Sequence, residues 1–418
     1  MSAFDNTKPI ELDDDLVAVD VSQAPDMTSK ARRTLARRLA DVICLPQSQV
    51  NALERHIAGD LLVEMLREGD RKLREQSARR MASLVDAPTA ILRLLMRDEI
   101  DIAQYILQDS TAVTDSDLIE CAQHASQAHR LAIARRKQVS EVVCDVLVQI
   151  GEHDVIEALL RNRGVIFSFS AMDKIVALSR DTTGLIRHIL RREELRPSHA
   201  YAMFWWSNAA ERLEIIQRLA IGRDVLQDMA GDVFAMAAEE GWQDPLARKA
   251  LQFIERRQRN RAAIDKSPYD SLEDAVAVAA EKGLDRELTQ EMSFLSGLKP
   301  ATGARIFTDM GGEPIAVLCK ATGLKRHNIE LFWKAQRRST TTEAGEIHPA
   351  LERSIYVFDI LTVDKAQTLL RYWNWSLTAS LTPELIRAIR EGSAEGSVDE
   401  FSPPSRAAAL VFSKFFNK

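Results

Sequence analysis

The stretch His129–Gly151, HRLAIARRKQVSEVVCDVLVQIG, sets two short apolar clusters on either side of a basic doublet, Arg135–Arg136, and a serine, Ser140. The first cluster reads as a short helix that stops at the doublet. Ser140 is placed to cap a second helix, because its side-chain oxygen can take a first-turn N–H that has no partner inside the helix. Gly151 stands where that second helix ends, a position at which a left-handed residue costs least in glycine. The segment is therefore a helical hairpin, and it is too small to bury its apolar edge alone.

Similar hairpins recur. Taking the second residue of each apolar doublet as an anchor gives Ala82, Leu107, Ala134, Leu160, Leu190 and Ala220, spaced by 25, 27, 26, 30 and 30 residues. Hydroxyl residues placed to cap follow the middle anchors at Thr114, Ser140, Ser170 and Ser198, and two of them form capping-box patterns, Thr114 with Asp117 and Ser170 with Asp173. Pro88 does related work in the first unit, since a missing N–H costs nothing in a first helical turn. From Lys30 the periodicity places Leu35, Leu39, Val42 and Ile43 on one face. Repeats of this length, each with two short helices, bury their apolar edges by stacking on their neighbours. The expected fold is all-α: an irregular α-solenoid of HEAT-like or leucine-rich-variant type over 28–230, followed by a second helical domain over 231–375. The competing reading is a compact helical bundle whose internal echoes are chance.

The remaining organisation follows from composition. Residues 1–27 are acidic, with ELDDD at Glu11–Asp15, and are expected to lack fixed structure. Beyond Gly231 aromatic residues become frequent and glycines punctuate the helices. A helix and flexible linker are expected over 376–404, and an amphipathic terminal peptide, RAAALVFSKFFNK, over 405–418. A net charge of −6 over 418 residues argues against a surface that is basic throughout. Four scattered cysteines, no signal-peptide pattern and no apolar run of bilayer length lead to the expectation of a cytoplasmic protein.

Two stretches carry a family resemblance: TDSDLIECAQHASQAHRLAIARRKQVSEVVCDVLVQIG, from Thr114 to Gly151, and EGWQDPLARKALQFIERRQRNRAA, from Glu240 to Ala263. They resemble an uncharacterised family of helical-repeat proteins of alphaproteobacteria that carries a domain-of-unknown-function label. The resemblance extends over about Lys30 to Trp375. It implies a cytoplasmic helical protein and brings no activity, cofactor or catalytic residue.

Basic residues follow the anchors: Arg135 and Arg136, Arg161 and Arg163, Arg191 and Arg192. In register they form a column of guanidiniums suited to carboxylate or phosphate, and so to an acidic protein partner. The plainer reading is solvated charge at helix C-termini, where it complements the helix dipole. Asp13, Asp14 and Asp15 would act as a tethered competitor for the same column.

Nucleic acid is the disfavoured alternative partner. It would use Arg256, Arg257, Arg259 and Arg261 in FIERRQRNRAA, and a helix-turn-helix threading of Ile315–Ala335. That threading turns the chain at Gly323, buries Ile329, and points Arg326, His327, Asn328 and Lys334 outward. The terminal peptide can fold back, dock in a partner's groove or touch a membrane surface. Cys121, His124, His129 and Cys144 lack the tight paired spacing of a zinc site and read as core or half-buried residues. No phosphate-loop, dinucleotide, zinc-protease or nucleophile-elbow motif occurs, so no cofactor, metal or catalytic residue is expected. The expected function is a non-enzymatic interaction scaffold or regulatory adaptor. The rivals are a nucleic-acid-binding regulator and an enzyme with an interdomain site invisible in sequence.

Overall fold

The computed structural model describes residues 29–45, 49–222 and 267–379. These residues form helices and no strand; two isolated bridges, Val139 with Val165 and Thr341 with Ile347, are the extended pairings among them. The chain divides into two compact units, the first ending at Lys137 and the second beginning at Gln138.

The first unit holds α1 (Ser29–Ile43), α2 (Ala52–Arg67), α3 (Arg71–Ala82), α4 (Thr89–Met96), α5 (Ile100–Asp109), α6 (Asp115–His124) and α7 (Gln127–Ala134). Each odd-numbered helix packs on the next odd one, α1 on α3, α3 on α5 and α5 on α7, while α2 packs on α4. On α1 the inward face is Ala36, Ala40 and Ile43, and Leu35 is exposed. The expected face was one residue out of phase, because the small alanines let α1 approach its neighbours. Thr114 and Asp117 form the expected capping box of α6.

The second unit starts with α8 (Glu141–Ile150), α9 (His153–Arg161), α10 (Phe169–Leu178), the 3-10 turn Thr183–Leu185 running into α11 (Ile186–Ile189), α12 (Pro197–Met203) and α13 (Ala209–Leu219). It continues with α14 (Leu272–Lys282), α15 (Arg286–Leu295), α16 (Pro300–Phe307), α17 (Glu313–Thr322), α18 (His327–Ala335), α19 (Pro349–Ile360) and α20 (Val363–Ala379). Ser140 caps α8 and Gly151, at φ 83°, closes it, both as expected. Two other caps are displaced. Ser168, and not Ser170, caps α10 through the Ala171 N–H, so Ser170 and Asp173 form no capping box there. Helix α12 begins at Pro197 with Arg196 at its cap, which leaves Ser198 inside the first turn.

Helix α17 is apolar nearly all round and buries Pro314, Ile315, Ala316, Val317, Leu318, Cys319 and Ala321. A helix of that composition belongs in a core, and α16, α18, α19 and α20 surround it. Tyr201 and Phe204, at the end of α12, pack with Trp205, Tyr372 and Trp373 in one aromatic cluster. Two hydrogen bonds fix it: Tyr372 Oη donates to Ser198 O at 3.0 Å, and Trp373 Nε1 donates to Tyr201 O at 3.2 Å.

Candidate functional site

All six repeat anchors are buried, and each lies within two residues of the C-terminal end of a helix. Such ends leave carbonyls without intrahelical partners. Arg136 answers this for α5: Nη1 donates to Leu107 O at 2.5 Å and Nη2 to Ser110 O at 2.7 Å. Arg192 does the same beyond α9, with Nη1 on Asn162 O at 2.9 Å and Nη2 on Val165 O at 2.7 Å; Glu194 holds it from the other side. Arg218, on α13, donates to Leu190 O at 2.9 Å at the end of α11.

Two members of the expected column, Arg136 and Arg192, are therefore turned onto backbone carbonyls instead of outward. The physical reason is the demand of the unpaired helix ends. Arg135, Arg163 and Arg191 are exposed. Arg161 pairs with Glu157 at 2.7 Å and reaches His188. Sequence reasoning missed Arg187 and His188. Their signal was present: Arg187 and His188 stand in the same run, GLIRHIL, that ends on the anchor Leu190.

The other sequence candidates are placed as follows. The helix-turn-helix segment does form two helices, α17 and α18, joined through Gly323 at φ 83°. Ile329 is buried as expected. Asn328 was expected outward and is buried, its Nδ2 donating to Glu273 Oε1 at 3.2 Å. Arg326 lies 3.7 Å from Asp359, His327 lies 3.6 Å from Glu273, and Lys334 is exposed. Arg256, Arg257, Arg259 and Arg261, the acidic tail with Asp13–Asp15, the linker over 380–404 and the terminal peptide over 405–418 lie outside the described residues. Cys121 and Cys144 are buried, His124 is exposed, and His129 Nε2 bonds to Asp98 O at 2.9 Å. Among the described residues no three His, Cys, Asp or Glu side chains gather as a metal site requires.

A second charged cluster was not anticipated. Arg212 on α13 meets Asp309 through two parallel bonds, Nη1 to Oδ1 at 2.9 Å and Nη2 to Oδ2 at 3.0 Å. Nη1 also reaches Glu313 Oε2 at 3.0 Å, and Nε donates to Phe204 O at 3.1 Å. Burial opposes the Arg212 charge, but Asp309 and Glu313 outweigh it and hold its pKa above the ordinary value. Asp309 Oδ1 further accepts from the Gly311 and Gly312 N–H groups at 2.9 and 3.1 Å. A Cβ at Gly311 would fall 2.1 Å from Glu313 Oε2 and 2.5 Å from Arg212 Nη1, so any side chain there would displace the ion pair. The run Asp309-Met310-Gly311-Gly312-Glu313, two acids around a glycine pair, was the one local sign of this cluster.

Residues 102–371 match the family described as "uncharacterised protein conserved in bacteria (DUF2336)". The chain belongs to the DUF2336 family. The match takes in Arg136, Arg161, Arg192 and the Arg212 cluster, and begins beyond α1–α4. No curated protein and no solved structure matches the chain. No helix among the described residues is long and apolar enough to cross a membrane.

Proposed function

We propose that this chain is a non-enzymatic protein-interaction scaffold or adaptor, built on a helical-repeat surface of irregular α-solenoid type. The order of packing supports the repeat reading, since α1, α3, α5 and α7 follow one another and α2 lies on α4. The observation that carries the functional reading is on α2. Leu53, Ile57 and Leu61 are 68%, 50% and 41% exposed, and their spacing of four residues sets them in one stripe along the helix. Half-exposed aliphatic side chains aligned on one helix form the kind of face that a partner helix or groove covers. Covering them would stabilise a complex by roughly 1 kcal/mol per side chain, because part of each is already shielded. Glu54, Asp60 and Glu64 flank the stripe, with Asp60 beside His56 and Glu64 paired with Arg67, so the rim around the apolar stripe is of mixed charge.

A photocrosslinking residue at position 57, introduced in cells, tests this reading. A discrete protein adduct that disappears when Leu53 and Leu61 are changed to Glu is the expected result. An adduct pattern unchanged by those substitutions overturns it.

A further inference from the structure

Helices α9 and α11 pack together, and their C-terminal ends bring the guanidiniums of Arg161 and Arg187 onto one imidazole, with Arg191 two residues beyond the end of α11. Arg161 Nε donates to His188 Nε2 at 3.4 Å, and Arg187 Nε donates to the same nitrogen at 3.1 Å. A ring nitrogen that accepts N–H donors carries no proton itself, which makes His188 neutral and puts its proton on Nδ1. Burial lowers the pKa of this imidazole first, Arg161 and Arg187 add to the effect, and Arg191 acts in the same direction.

One carboxylate faces the group. Glu157 Oε1 accepts from Arg161 Nη2 at 2.7 Å and lies 3.4 Å from His188 Nε2. Among the described residues Arg187 and Arg191 have no ion pair, and both are exposed. The cluster is therefore positive by two charges. The buried imidazole accepts from both Nε atoms, while the Arg161 and Arg187 side chains are otherwise exposed.

We propose that Arg161, Arg187 and Arg191, at the ends of α9 and α11, form a binding site for a phosphate monoester dianion, with His188 as the floor that positions the first two. Such a group carries about −1.5 to −2 charge at neutral pH and offers three strong acceptor oxygens. Guanidinium forks match those oxygens in pairs. The shared chemistry admits two sources, a small phosphorylated molecule or a phosphorylated side chain of a partner. This site is independent of the α2 stripe and stands without it.

The test uses the full chain with isotope-labelled histidine, the His188 ring signal being assigned with His188→Gln. Inorganic phosphate is titrated at constant ionic strength, then a glycine-flanked phosphoserine peptide and its unphosphorylated twin. A saturable shift of the His188 signal is expected with phosphate, about tenfold weaker in Arg187→Gln and abolished in Arg187→Gln/Arg191→Gln. Both arginines are exposed, so an unchanged thermal midpoint checks that the variants are folded. A phosphopeptide that binds more tightly than phosphate identifies a phosphorylated partner, and equal affinity identifies a small molecule. A shift that grows linearly with phosphate and is matched by chloride, or an affinity unchanged in the double variant, overturns the proposal.

Discussion

Arg212 has every face of its guanidinium committed, to Asp309, to Glu313 and to the Phe204 carbonyl. Glu313 is 1% exposed. Removing the cation leaves Asp309 without its paired guanidinium, and leaves Glu313 with Arg353 at 3.7 Å from Oε1, in a site that water barely reaches. Arg212→Met should lower stability by about 3–5 kcal/mol, read from the midpoint of denaturant unfolding. Arg212→Lys should recover little of that, since an ammonium cannot serve two oxygens of Asp309 in parallel.

The cysteines separate by burial. Cys121 and Cys144 have their thiols pushed up to about 11 and about 12, chiefly by desolvation, and fully buried Cys319 is pushed up further. Half-exposed Cys44 should be the first alkylated in the native protein, with the other three reacting after denaturation, as peptide mass mapping would show. At this scale the sequence was least informative. The Arg212–Asp309 pair joins positions 97 apart, and no local pattern announces a contact of that range.

Helix ends explain the arginines better than any external ligand does for Arg136 and Arg192. Each charge-assisted bond to a carbonyl contributes roughly 1.5–3 kcal/mol when the alternative is an unsatisfied group. Arg192→Ala and Arg136→Ala should each cost about 2–3 kcal/mol in denaturant unfolding, whereas Arg163→Ala, on an exposed side chain, should stay within about 0.5 kcal/mol. Hairpin units were legible because capping chemistry is local. Thr114, Ser140 and Gly151 do what their types predict. Where legibility failed, two candidates competed over one turn. Phe167–Ser168–Phe169–Ser170 offers serines two apart, and burial of Phe167 selects the first. Pro197 pre-empts Ser198 because a residue without an N–H suits the helix start. The direction of the arginine side chains was illegible, since solvated charge and carbonyl capping ask for the same residue at the same place.

Across the whole molecule, acid sensitivity has an identifiable source. His199 lies buried, stacked on Phe169 with ring centroids 5.1 Å apart and 3.8 Å from Asp173. Burial, helped by Arg196, lowers its pKa to about 4. In the unfolded chain the same ring titrates near its ordinary 6.5. Between those values the unfolded state binds the extra proton, so stability falls as pH drops from about 6.5 towards 4 and levels off below that. His199→Gln should flatten this part of the thermal-midpoint profile while leaving the higher-pH part parallel to wild type. An undiminished slope in the variant would assign the sensitivity elsewhere.

The carbonyls at the end of one hairpin wait for a side chain that arrives about thirty residues later: Asn162 for Arg192, and Leu190 for Arg218. As the chain leaves the ribosome, each hairpin therefore stays incomplete until its successor has emerged. A fragment cut at Leu190 keeps the whole of α11 and still lacks the cation that closes it, so viable cuts fall after an arginine and not after a helix.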